Sequence, residues 1–249
     1  MATGPESASV TAPERVVISV DAMGGDRGPA AVVAGLVDSI AQHPRLDVIL
    51  HGDQALLLPL LARHSDLTRR VALRHADRVV TMEDKPAQVM RHGAGTSMWS
   101  TIDAVRDGEA AAAVSCGNTG ALMAVSMLRL RKLPGLNRPA IASLFPTPTP
   151  GKLNVMLDMG ADVKADPQDL LQYAFMGASY ARNGLAISRP RVGLLNVGTE
   201  EHKGRAELQE ANALLSRSTE AGSFDYVGFI EGTDILSDRV DVIVTDGFT

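Results

Sequence analysis

Val16-Val17-Ile18-Ser19-Val20, then the turn Asp21-Ala22-Met23-Gly24-Gly25-Asp26, then a helical pattern opening at Gly28-Pro29 and running to Gln42, decide the fold. The first run is apolar on both faces and reads as a buried strand, while Pro29 suits the first turn of a helix. Moving outward, Asp47-Val48-Ile49-Leu50 reads as a second strand ending at His51-Gly52, with a Leu-rich helix from Gln54 to Arg63. Val71 to Arg74 is a third strand, and Lys85 to Arg106 is mostly helical with a break around His92-Gly93-Ala94-Gly95. Ala110 to Ser115 is a small-residue strand before a helix from Thr119 to Lys132, which Pro134-Gly135 stops. Strands are expected at Ala140 to Phe145, Leu153 to Leu157, Val192 to Leu195, Phe224 to Phe229 and Val240 to Thr245, and helices at Pro167 to Arg182 and Gly204 to Ser216. Doubly apolar strands alternating with helices predict an α/β protein, three-layered α/β/α around a mainly parallel sheet.

The 249 residues suffice for one large α/β domain. Residues 1–14, rich in Ser, Thr, Pro and Ala, are expected to form a flexible extension, and 15–249 the α/β domain. The stretch Phe145-Pro146-Thr147-Pro148-Thr149-Pro150-Gly151 is a stiff connector that suits a domain hinge or a loop at the sheet edge. Lys plus Arg number 24 against 29 Asp plus Glu, for a net charge of −5. That balance, with one Trp, three Tyr and five Phe, argues against nucleic-acid binding by a basic surface or a stacking platform. The single Cys116 makes no internal disulfide, and no apolar run approaches membrane-spanning length, so a cytosolic setting is expected. Val240 to Thr245 runs into Asp246-Gly247-Phe248, a strand-to-helix turn with no helix after it, as in a C-terminally truncated form.

Six loops at strand ends share a composition: Asp21 to Asp26, Ser115 to Gly120, Asp158 to Asp162, Asn196 to Gly204, Glu231 to Asp234, and Asp246-Gly247. Sites of open α/β sheets form beyond the carboxyl ends of strands. Glycine admits a ligand close to the backbone, and the following helix offers unpaired N–H groups to an anion. The loops match neither GxGxxG nor GxxxxGK[ST], so an anion other than a nucleotide triphosphate is expected. Gly24, Gly25, Gly117, Thr119, Gly198 and Thr199 are the candidate phosphate-binding positions. Asn118 adds an amide at the start of the 119–132 helix, and Lys203 adds a point positive charge inside a Gly-flanked loop. Cys116 beside a helix N-terminus has a possible nucleophilic role, although it reads better as a small buried residue. The six histidines show no HxxH or HxxxH spacing; Asp21, Asp26, Asp158, Asp162 and Asp246 could gather around Mg²⁺ but serve equally as caps and turns. No metal or cofactor is expected.

Asp21-Ala22-Met23-Gly24-Gly25-Asp26, Asp84-Lys85-Pro86-Ala87-Gln88, Gly117-Asn118-Thr119-Gly120-Ala121-Leu122-Met123, Asn196 to Gly204, Gly228-Phe229-Ile230-Glu231-Gly232 and Asp246-Gly247-Phe248 occur in an order that resembles the phosphate acyltransferases of bacterial phospholipid synthesis. The resemblance runs from Val16 to Thr249. It implies a fold similar to isopropylmalate dehydrogenase and phosphotransacetylase, usually in a homodimer. It implies attack of orthophosphate on the thioester of a fatty acyl carrier protein, giving acyl phosphate for a membrane glycerol-3-phosphate acyltransferase, by an enzyme peripheral to the membrane. That family continues past Asp-Gly-Phe into a long helical segment absent from this sequence, and it usually has a small residue such as Ala at the position of Cys116.

Orthophosphate already carries unprotonated oxygens and a thiol is a tolerable leaving group, so positioning and oxyanion stabilisation are what the chemistry needs. The residues favour Lys203 for phosphate and Asn118 for the oxyanion as the catalytic pair. An acidic carrier protein calls for a basic docking patch, for which Arg129, Arg131, Lys132 and Arg138 form the densest cluster. Helix-end cations and core Met/Leu spacing explain the same residues without docking. Rival readings are a phosphotransacetylase-like enzyme acting on acyl-CoA, a decarboxylating NAD-dependent dehydrogenase on a related fold, and a non-catalytic, carrier-binding truncated paralogue.

Overall fold

Strand β1, Val16–Asp21, lies at the centre of the first sheet in the computed structural model, which describes residues 15–160, 165–199 and 204–246. It pairs in parallel with β2 (Leu46–Gly52) on one side and β4 (Ala112–Ser115) on the other, and β3 (Val71–His75) adds beyond β2. The order is β3-β2-β1-β4. One face carries Val20, Val48 and Leu50, packed under helices α1 (Gly28–Gln42) and α2 (Gln54–Leu61) through Val33, Leu36, Ile40 and Leu57. The opposite face meets α4 (Ser97–Arg106), with α3 (Pro86–His92) and α5 (Thr119–Leu130) packed on it through Val89, Met98, Ile102, Ala121 and Val125. These are three layers, as the doubly apolar strands predict.

On the α4 side the layer is partly polar. Buried His51 sits between two hydroxyls, Ser19 Oγ at 2.8 Å from its Nε2 and Ser100 Oγ at 2.8 Å from its Nδ1. Burial, and then the nearby Arg74, push its pKa down to about 4 against a smaller opposing effect of Glu109. The folded protein therefore holds this ring neutral at pH 7, one nitrogen donating and the other accepting.

A second compact unit begins at Lys132. Its sheet has the order β5-β6-β9-β7-β8, formed by β5 (Ala142–Pro146), β6 (Leu153–Leu157), β7 (Arg191–Leu195), β8 (Asp225–Ile230) and β9 (Val242–Val244). All pairings are parallel except β5 with β6. Helices α6 (Pro167–Gly184) and α7 (Ala206–Arg217) cover one face, where Tyr173, Ala174, Ala178, Leu208 and Leu215 bury Val155, Val192 and Val242. Asp166 and Asp169 close α6 with a reciprocal capping box.

The strand and helix positions follow the sequence reading to within a few residues, with one correction. The six glycine-bearing loops do not leave one sheet: two follow β1 and β4 in the first, and four follow β6, β7, β8 and β9 in the second. A run of apolar strands carries no mark of which sheet each will join, because the strands of both sheets carry apolar residues on both faces. Of the proline-rich 145–151 stretch, Phe145 and Pro146 end β5 and the rest lies in the turn of the antiparallel hairpin that leads to β6.

Gly35 stands in the middle of α1, and a Cβ added there would meet nothing within 4 Å. Gly35→Ala is therefore expected to raise unfolding free energy by about 0.5–1 kcal/mol through helix propensity alone. Urea denaturation measures this; a loss of stability would show that the backbone at Gly35 is not that of an ordinary helix interior.

Candidate active site

In the first unit, two distant loops meet backbone to backbone. A Cβ at Gly24 would come 2.7 Å from Gly117 N and 2.8 Å from Ser115 Oγ, and one at Gly117 would come 3.3 Å from Gly24 Cα. Only glycine at position 24 permits this approach. Gly25 has φ +94°, and its added Cβ would lie 2.9 Å from Cys116 Cβ. The contact is tied by Asp21, buried at the end of β1: one carboxylate oxygen accepts from Met23 N–H at 3.1 Å, the other from the Ser115 hydroxyl at 2.8 Å. Ser115 Oγ in turn accepts from Gly117 N–H at 3.1 Å.

Asn118 caps α5, its Oδ1 accepting from Ala121 N–H at 3.0 Å. Its amide nitrogen donates to the carbonyls of Thr81, Met82 and Asp84, at 3.2, 3.2 and 2.9 Å. As the structure stands, both ends of this side chain are occupied in holding a third loop, residues 81–84, against the other two. The N–H groups of Thr119 and Gly120, in the first turn of α5, have no intrahelical acceptor by position, and a helix N-terminus carries partial positive charge. Pro86, opening α3, packs close to Gly120.

Asn118→Ala removes a cap worth about 1 kcal/mol and leaves three carbonyls without this donor; a total loss of about 2 kcal/mol is expected in chemical denaturation. Asn118→Asp keeps the cap but sets a carboxylate oxygen against the three carbonyls, so it should lose at least as much as the alanine variant. A change under about 0.5 kcal/mol for the alanine variant would contradict this anchoring role.

In the second unit, Asp158, Asn196, Glu231 and Asp246 follow β6, β7, β8 and β9. Asp158 is buried and accepts from Ile141 N–H at 2.9 Å, and Asp246, also buried, is ion-paired with Arg205 at the start of α7. Gly204, at φ +91°, has no room for a Cβ because the Asn196 side chain lies against it. Gly198 is buried and Thr199 exposed. Lys203 and His202 lie outside the described residues, as does Asp162.

The cationic cluster is divided. Arg129 donates to both carboxylate oxygens of Asp103, at 2.6 and 3.2 Å, with its guanidinium 5.4 Å from the Trp99 ring centre. Arg131 follows α5 at φ 65°. Lys132 and Arg138 belong to the second unit, where Lys132 donates to the Asn137 carbonyl and Arg138 lies 3.7 Å from Asp169. Among the described residues, no three His, Cys, Asp or Glu side chains are grouped to hold a metal ion. No described helix is long and apolar enough to cross a membrane. The sequence reading missed His51, whose serine partners stand 32 and 49 residues away, and the anchoring of residues 81–84 by Asn118.

Mainly parallel sheets with glycine-rich loops after their strands define an α/β protein, and its fold is similar to that of solved phosphotransacetylases. A phosphotransacetylase from Streptococcus pyogenes superposes with a TM-score of 0.66 at 15% identity, covering 93% of this chain and 77% of that one. The EutD phosphotransacetylase from Staphylococcus aureus gives 0.62 at 15%, covering 92% and 77%. The chain belongs to the family described as "Fatty acid synthesis protein", which it matches over residues 16–249. It is 68% identical to a protein named phosphate acyltransferase from Cereibacter sphaeroides, over 97% of this chain and 67% of that protein. It is equally identical to a phosphate acyltransferase from Paracoccus denitrificans, over 94% and 63%. The chain thus spans about two thirds of the length of the curated relatives it matches.

Proposed function

We propose that this protein transfers a long-chain fatty acyl group from an acyl carrier protein to orthophosphate, releasing acyl phosphate and the carrier thiol. The observation that carries the reading is 68% identity, over 97% of this chain, to a protein named phosphate acyltransferase. In this reading a phosphate oxygen attacks the thioester carbonyl carbon, a tetrahedral oxyanion forms, and the C–S bond breaks to release thiolate. Orthophosphate is anionic at neutral pH and needs little base assistance; the transition state needs oriented N–H donors and charge stabilisation. The contact between the Gly24-Gly25 and Gly117-Asn118 loops, beside the first turn of α5, supports such a site. Gly24, Gly25, Gly117 and Thr119 are the backbone elements we assign to phosphate there. Asn118 acts as a positioning residue in this reading, since its amide is bound to the 81–84 loop. Lys203 is the cation we assign to phosphate and Gly198 and Thr199 its neighbours, on sequence grounds.

The remaining assignments are part of the same reading: no resident metal or cofactor, a homodimer, contact with the membrane surface without spanning it, and delivery of acyl phosphate to a membrane glycerol-3-phosphate acyltransferase. Arg131, Lys132 and Arg138 are the docking residues we assign to the acidic carrier, with Arg129 held by Asp103.

The test is incubation with long-chain acyl carrier protein and orthophosphate, trapping acyl phosphate with hydroxylamine. Hydroxamate formation from the carrier substrate, and not from short acyl-CoA, is expected. Turnover of acyl-CoA without carrier protein would replace this reading with the phosphotransacetylase-like one.

A further inference from the structure

The N-terminal ends of β1 and β2 border a polar concavity that the acyl-transfer reading leaves unused. It measures about 820 Å³, within the roughly 300–1,000 Å³ range of small-molecule sites, and lies between the last turn of α1, the segment after α2 and the start of β2. Its ionisable lining is Arg15, Arg63, Arg69 and Arg70, the ring of His64, and the carboxylates of Asp47 and Asp66. With His64 neutral, four guanidinium groups against two carboxylates leave a charge of +2, in a chain whose net charge is −5. A cleft with a surplus of one charge, set against a low-dielectric wall, concentrates ions of the other sign. Buried Leu67 and Ile40 supply that wall.

The four arginines fall into two pairs. Arg15 and Arg70 share Asp47, donating to its Oδ1 at 2.8 and 2.6 Å, and Arg70 donates a further N–H to the Leu46 carbonyl. One carboxylate between two guanidinium groups leaves that cluster with positive charge to spare. Arg63 and Arg69 are exposed, and neither makes a hydrogen bond or an ion pair among the described residues. Asp66 stands between them in sequence, on the short 3₁₀ turn Ser65–Leu67, and is within ion-pair distance of neither. The pocket therefore offers two uncommitted planar donors above a fixed cationic base. Its position separates it from the loops assigned to orthophosphate: Arg15 precedes β1 and Asp21 ends it, about 20 Å apart at 3.3 Å per residue.

We propose that this pocket is a second anion site, remote from the catalytic loops, which takes a small multiply charged phosphate compound on Arg63 and Arg69 above the Arg15–Asp47–Arg70 cluster. The guanidinium fork matches phosphate oxygens in geometry as well as charge, which is why arginine and not lysine suits such a ligand. A phosphate held here is not the acyl acceptor, and binding here does not depend on the acyl-transfer reading.

Calorimetric titration of the full chain with pyrophosphate, in buffer free of divalent metal, tests it without any turnover. Binding is expected, weakening as salt is raised. The double variant Arg63→Gln, Arg69→Gln should weaken it by about tenfold or more, and Arg63→Lys, Arg69→Lys by less, since charge is kept and the fork lost. Asp66→Asn should strengthen it severalfold by removing the opposing carboxylate. All three positions are exposed, so urea midpoints should stay native. Gly24→Ala, which disturbs the loops assigned to orthophosphate, should leave this binding intact, and the double glutamine variant should keep native kcat and KM for orthophosphate. No pyrophosphate binding by the native chain would overturn the proposal, as would an affinity unchanged by the double glutamine variant or lost in Gly24→Ala. So would double-variant loss of sedimentation with phosphatidylglycerol vesicles where pyrophosphate does not bind, since the arginines would then serve a lipid surface. If the acyl-transfer reading alone is wrong, pyrophosphate still binds and the double variant still loses it, while acyl carrier protein is not turned over.

Discussion

Gly24→Ala is expected to slow phosphate-dependent acyl transfer by about a hundredfold, the scale of loss when a reacting group is misplaced by about an ångström. The added methyl would stand 2.7 Å from Gly117 N, 2.8 Å from Ser115 Oγ and 2.9 Å from Asp21 Oδ2. None of these can withdraw independently. Gly117 N–H donates to Ser115, Ser115 donates to Asp21, and Gly117 leads directly into the Asn118 cap. The strain therefore separates the two loops, moving the N–H groups that face the proposed phosphate position. The backbone at Gly24 is not in the left-handed region, so the effect is one of space and not of dihedral strain. Steady-state kinetics well below the unfolding midpoint check it. A variant with native kcat and KM for phosphate would show that the loop contact serves packing alone.

The second large effect is on acid stability. The folded chain holds His51 at a pKa of about 4, whereas an unfolded histidine titrates near ~6.5. Between those values the unfolded chain binds more protons, so stability falls as pH falls through the window. The fall is roughly 3 kcal/mol from pH 7 to 4, at about 1.4 kcal/mol per unit. Asp47 acts in a different window. Its contacts with Arg15 and Arg70 hold its pKa down to about 2, so its contribution is complete above roughly pH 4 and is lost only as pH falls toward 2. The difference between native and His51→Gln urea midpoints from pH 7 to 4.5 therefore reports His51, since Glu109 and Asp103 contribute alike to both chains. His51→Gln, which keeps polar atoms for Ser19 and Ser100, should flatten the profile. An equal slope in native and variant chains would show that the acid sensitivity arises elsewhere.

The strands and helices were legible because their signals are local. Pro29 at the start of α1 and the apolar run of β1 each act within a few residues. What was not legible depends on pairing at a distance. The antiparallel direction of β5 is set by its register against β6, and a short apolar strand looks the same in either direction. The site divides in the same way. Asn118 was recognised as a polar group at a helix start, but the carbonyls it holds come from 34 to 37 residues earlier. Gly24 and Gly117 were recognised as turn glycines; that they press on one another follows from the pairing of β1 with β4. His51 looked solitary because its partners are serines, which form no metal or catalytic spacing with a histidine in sequence.

The most direct test of phosphate as the acyl acceptor is the release of carrier thiol from long-chain acyl carrier protein, followed with and without orthophosphate. Negligible release is expected without phosphate, with saturation as phosphate is raised and one acyl phosphate formed for each thiol freed. Thiol release at the same rate without phosphate would mean hydrolysis by water, and would contradict it.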